Sequence, residues 1–158
     1  MNTDQWFREG MTIGEDMLFL MDLLPSVSGI VETDFSGYGY YRNPQGAMNR
    51  TFRPEYMDQI RCWEIAREQV HRMLPECDNR VASILMISIM LTVGKLAALT
   101  GENRRQYKQY IKECHEKLLK ERHNREAVKL LSKGYRFKVR FFAAMPGLYL
   151  WCYHLKKH

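Results

Sequence analysis

An α+β chain, mostly α, is what three features of this sequence predict. Residues 1–53 are rich in Gly, Pro, Asp and aromatics, and they carry two short strand-like runs between turn residues. Residues 54–158 carry apolar side chains at helical spacing almost to the end. The 158 residues are 46% hydrophobic and 27% charged, enough for one domain with a core of its own. The expectation is a small strand-bearing N-terminal part over 1–53, packed on four or five helices over 54–158.

The elements follow in order. Residues 15–24 read as a short helix stopped near Pro25. Residues 29–33 are a β-branched run and read as a strand. Residues 37–42, Tyr-rich with glycine punctuation, read as a second strand, and Asn43-Pro44-Gln45-Gly46 reads as a turn. Pro54 suits the first turn of a helix, with Glu55 and Asp58 near its positive end. Tyr56, Ile60, Trp63, Val70 and Leu74 form its stripe, and Pro75 ends it. Asp78 is placed to cap the next helix, which runs to about Gly101. Its residues 84–93 are apolar on every side, too short a run to span a bilayer and interrupted soon after by Lys95, so a buried central helix is expected. Tyr107, Tyr110, Ile111, Cys114 and Leu118 form the stripe of an amphipathic helix, and Asn124 caps a short helix ending at Gly134.

Charge is unevenly spread. Residues 1–100 hold 9 Lys/Arg against 13 Asp/Glu, whereas residues 101–158 hold 15 against 5. The basic half is a candidate for an anionic partner, a membrane surface or a nucleic acid; solvated helix faces are the plain alternative. No nucleic-acid recognition motif accompanies it, and its aromatics do not form a stacking platform, which argues against nucleic acid. Cys62, Cys77, Cys114 and Cys152 form no C-x-x-C pair, and residues 1–9 lack a signal's basic and apolar regions. Reduced thiols in a cytoplasmic protein are expected. No zinc-ligand spacing joins the His and Cys residues, His115 and His123 included.

The stretch Trp6-Phe7-Arg8-Glu9-Gly10-Met11-Thr12-Ile13-Gly14-Glu15-Asp16-Met17-Leu18-Phe19 carries the chemistry. An aromatic and Glu-Gly precede a Glu-Asp pair, and an apolar helix follows. Then come Ile30-Val31-Glu32-Thr33-Asp34, Tyr38-Gly39-Tyr40-Tyr41-Arg42 and Gly46-Ala47-Met48. This ordered set resembles family 2 (GT-A type) glycosyltransferases on their acceptor side, by motif over residues 6–50 and in general style to the C-terminus. The resemblance implies that 1–53 is part of a GT-A catalytic domain, with Asp16 as general base, Glu15 positioning the acceptor, and Tyr41 and Arg42 binding substrate. Ala47 departs from the family's usual Ser, so a hydroxyl contact there is not carried over.

The chemistry has a physical reason to want Asp16. Inverting transfer is an in-line displacement, and an acceptor hydroxyl is a poor nucleophile until a base takes its proton, a gain of ~10²–10⁴-fold. A helix start favours the ionised carboxylate. Adjacent helical side chains diverge, so Glu15 and Asp16 do not form a two-carboxylate glycosidase pair. The plain alternative is that both stabilise a first helical turn. An Arg near a diphosphate offsets leaving-group charge, which is the role implied for Arg42, with a surface ion pair as its equal.

No Asp-x-Asp occurs, and Glu32-Thr33-Asp34 falls after the Glu-Asp pair, where the family's metal motif does not lie. The Mg²⁺ or Mn²⁺ and nucleotide sugar that the resemblance implies therefore belong to a donor-binding half outside this chain, and the chain alone is expected not to transfer sugar. Its implied acceptor is a glycan or a lipid-linked sugar of surface polysaccharide synthesis. Arg136, Lys138 and Arg140 precede Phe141-Phe142, and Trp151 follows Pro146, a basic-aromatic pattern fit for an interfacial contact on the inner face of a membrane. Packing of these aromatics on the helical core weighs equally. Unpaired strand edges make a homo-oligomer plausible, and a non-enzymatic helical module that binds a membrane or a partner is the competing reading.

Overall fold

The computed structural model describes residues 7–39, 41 and 51–157. Eight α-helices occur among them: α1 (Glu15–Leu23), α2 (Asp58–Met73), α3 (Asp78–Ala97), α4 (Gly101–Gln106), α5 (Lys108–Glu121), α6 (Arg125–Leu130), α7 (Lys133–Ala144) and α8 (Pro146–Lys157). There is no strand among the described residues. The fold is all-α rather than α+β, which corrects the expectation of a strand-bearing N-terminal part. Residues 27–39 leave α1 as a non-helical segment with Ile30 81% and Val31 86% exposed, and Phe35 and Tyr38 stand equally free. β-branched composition favours a half-buried pleated surface, but a ladder needs a partner strand and a covered face. Among the described residues neither is available to this segment.

α3 is the axis of the molecule. It touches α2, α5, α6, α7 and α8, and it buries Val81, Ala82, Leu85, Met86, Ile89, Met90, Val93, Leu96 and Ala97. The run Pro75–Ala97 is long and apolar enough to cross a membrane, yet 72% of its most apolar window is buried inside the protein. Its neighbours use narrower stripes. α2 contributes Ile60 and Val70, α5 Cys114 and Leu118, α6 Ala127, α7 Val139 and Phe142, and α8 Tyr149 and Leu150. Gly94 lets α8 approach α3: a β-carbon there would stand 3.0 Å from the Tyr153 hydroxyl. Buried Phe52 packs against Tyr56, Tyr107 and Tyr110 and closes the end near α4.

Helix ends explain the other departures. The segment before α2 starts with a 3₁₀ turn over Pro54–Met57. Asp78 is the first residue of α3 rather than its cap, and its carboxylate binds Arg67, which also pairs with Glu121 and so ties α2 to α3 and α5. Asn124 does cap α6, accepting the Ala127 N–H at 3.0 Å. That helix stops at Leu130, not Gly134, because Leu131 is extended and Ser132 starts α7 by accepting the Tyr135 N–H. Tyr107, with φ −105° and ψ 21°, breaks α4 from α5. Pro146 opens α8, where its missing N–H costs nothing. These breaks turn the expected four or five C-terminal helices into seven.

Candidate functional site

Among the described α-helices, α1 rests chiefly on α2. Leu18, fully buried, fits against Cys62 and Ala66, with Met11, Met17, Trp63 and Ile65 around them. Small residues four apart on α2 create the seat, since i and i+4 share a helix face. Gly14 makes the approach possible. Its φ is +87°, and a β-carbon there would stand 2.5 Å from Cys62 Sγ. It is the N-cap of α1 and supplies no side-chain cap. The preceding loop is tied down twice. Arg8 grips Asp22 through Nε and Nη2, with Nη2 at 3.0 Å from Oδ1, and Gln69 donates to the same carboxylate. The Thr12 N–H donates to Asp58 Oδ2 at 2.9 Å.

This scaffold presents the predicted pair at the surface. Asp16 is exposed and Glu15 half-buried in the first turn of α1, where the helix dipole favours negative charge. Asp16 Oδ1 accepts the Met17 N–H at 2.7 Å, and Oδ2 has no partner among the described residues. Burial pushes the Cys62 thiol up to about 11, and the charges of Asp16 and Asp58 add to that rise against backbone hydrogen bonds that lower it. Asp58 also borders a cavity of about 410 Å³, lined by Arg61, Glu64, Glu113 and Lys117 among others. Asp16 is not among its lining residues. Sequence reading took Asp58 as a helix stabiliser and missed that it joins the loop of the Glu-Asp motif to α2; its first-turn position gave the only signal.

The remaining predicted residues are scattered. Tyr41 is exposed, and Arg42 lies outside the described residues, as do Tyr40 and Gly46-Ala47-Met48. Phe142 is fully buried against His115 and Tyr149, so it belongs to the core and not to a membrane contact. Phe141 is half-buried between Phe137 and Tyr149. Arg136 donates to the carbonyls of Lys129 and Leu131 and so closes the end of α6. Lys138 sits over the Tyr135 ring at 5.0 Å. Arg140 and Trp151 are exposed.

No three His, Cys, Asp or Glu side chains cluster as metal ligands among the described residues. The described residues thus offer no ready ligand set for a Mg²⁺ or Mn²⁺ ion. Comparison with protein families, with curated proteins and with solved structures returns no match.

Proposed function

We propose that this chain supplies the acceptor side of an inverting glycosyl transfer, with the nucleotide sugar held by a different polypeptide segment. The observation that carries the reading is Asp16: a solvent-facing carboxylate at the start of a helix whose position is fixed by Gly14, Leu18 and the Arg8–Asp22 pair. The acceptor oxygen attacks the anomeric carbon, the bond from that carbon to the diphosphate breaks, and the hydroxyl proton passes to Asp16. Glu15 accepts a hydrogen bond from the acceptor. The ordered set of Glu-Asp, Tyr-Tyr-Arg and Gly-Ala-Met in the sequence supports the same chemistry. The acceptor class is a glycan or lipid-linked sugar.

The test joins this chain to the donor-binding half of a family 2 glycosyltransferase and follows sugar transfer. Asp16→Asn is expected to lower turnover by ~10²–10⁴-fold and to leave the melting temperature unchanged. Full turnover in Asp16→Asn overturns the proposal, as does transfer by the isolated chain.

A second reading rests on α8. Leu148, Trp151 and Leu155 are all exposed at i, i+3 and i+7, on one face of that helix. With the basic residues of α7 beside it, this face suits a peripheral membrane contact without enzymatic function. Flotation with phosphatidylserine vesicles is expected to fall in Trp151→Ala; unchanged flotation rejects the contact.

A further inference from the structure

The end of α5, α6 and one face of α7 enclose a cavity of about 460 Å³ lined by Arg122, His123, Arg125, Lys129, Arg136 and Arg140, with Val128 and Val139 as its apolar part. That size falls in the range of small-molecule sites. No carboxylate of a described residue is in the lining. Lys129 is paired with Glu126 at 2.7 Å, but the guanidinium groups of Arg122, Arg125 and Arg140 make no ion pair or hydrogen bond with any described residue. Several like charges around one concavity repel each other, and a bound anion would remove that cost. Arg136 is the ordered member. Its Nη2 is held at 3.0 and 3.1 Å by the carbonyls of Lys129 and Leu131, while its Nε is buried with no hydrogen-bond partner among the described residues. A buried donor left unmet calls for a partner.

We propose that this cavity binds a compact phosphate-bearing group, a phosphomonoester or a diphosphate. Guanidinium groups match phosphate geometry and donate charge-assisted hydrogen bonds to it in pairs. A single concave cluster fits one headgroup. A strand of nucleic acid would instead require a groove that tracks successive phosphates. The site does not rest on the acceptor reading, because no described residue of α1 or α2 lines it; with the membrane reading it shares Arg136 and Arg140 of α7, but it uses none of the exposed face of α8.

The experiment uses the full chain and inorganic pyrophosphate as probe, read by calorimetry and by thermal shift. Pyrophosphate is expected to bind and to raise Tm. Arg125→Gln/Arg140→Gln should weaken it about tenfold or more; both side chains are exposed, so folding is retained. Arg105→Gln/Lys108→Gln, the same charge change outside the cavity, should leave binding intact. A second arm uses phosphatidylcholine vesicles with and without phosphatidic acid. Binding lost in the cavity variant alone assigns the phosphate to a lipid headgroup, whereas pyrophosphate binding without vesicle binding assigns it to a soluble ligand. Three outcomes overturn the proposal. These are no binding of either probe, equal weakening in both variants, and an oligonucleotide that binds more tightly than pyrophosphate with affinity growing with its length.

Discussion

At Gly14 two requirements meet in one residue: a left-handed backbone and room for the Cys62 sulfur. A side chain there bears a backbone cost of about 1–3 kcal/mol and a contact far inside van der Waals distance. Gly14→Ala is expected to lower the hydrogen-exchange protection of α1 by at least that amount while the protection of α3 stays the same. Unchanged protection in α1 would show that its docking on α2 does not depend on this approach. Asp22 gives the same tether a pH dependence. Burial raises its pKa, but the hydrogen bonds from Arg8 and Gln69 and the charge of Arg8 outweigh that and hold it below the ordinary 3.8. The ionised form is thus the one the folded state prefers. Its contribution is complete above the ordinary value and disappears as pH falls through the lowered one. Protection of α1 should drop in that acid range, and Asp22→Asn should remove the step. Thiol chemistry follows burial in the same way. Desolvation first, with help from Glu113 against Lys117, pushes Cys114 up to about 12, as burial does Cys62 to about 11. Thiolate, the reactive form, is therefore nearly absent at neutral pH in both. Maleimide should label Cys77 and Cys152, which are half-exposed, and reach Cys62 and Cys114 only after unfolding; fast labelling of the native chain at Cys62 would contradict the packing of α1.

Among the elements, helices were legible wherever an apolar stripe and a punctuating residue coincided. α1, α2 and α3 begin and end close to where Pro25, Pro54, Pro75 and the apolar spacing place them. The strands expected at 29–33 and 37–42 are absent among the described residues, and the physical reason is that strand composition is a local property while a ladder is a shared one. Val31 and Phe35 have the side chains of a strand but no neighbour to cover them. Gly134 misled for another reason. A glycine after an apolar run signals a helix end, but Ser132, two residues earlier, offers a capping hydroxyl to the next helix, and the chain uses it. The basic-aromatic tail shows the same limit. Sequence gives Phe141, Phe142 and Trp151 equal claims on a membrane, and only the rotation of α7 and α8 about their axes separates the buried Phe142 from the exposed Trp151. Phe142→Ala should cost about 3–5 kcal/mol in urea unfolding, and Trp151→Ala should fall within about 0.5 kcal/mol of the parent. Equal losses would mean that α8 turns its other face inward.

For the whole molecule, one long apolar helix sets the architecture. α3 is covered by five helices, and ion pairs tie the N-terminal half to the C-terminal half between α2 and α5: Lys117–Glu64 follows the acidic-to-basic asymmetry of the sequence, and Arg67–Glu121 runs the other way. The central helix could be read from residues 84–93, which offer no polar face. The candidate site could be read only in part. Glu15 and Asp16 stand at a helix start as their spacing indicated, but Asp58 joins them through a loop-to-helix hydrogen bond that links residues 46 positions apart, a separation no local pattern encodes. The basic cavity draws on three helices for the same reason. The claim that most needs a direct check is that an acceptor sugar meets this chain at the start of α1. Amide chemical shifts of the labelled chain, followed during titration with a panel of acceptor oligosaccharides, make that check. Saturable shifts centred on residues 14–18 and on Asp58 are the expected result. A panel that leaves those amides unmoved, or that shifts only residues of α7 and α8, would contradict the assignment.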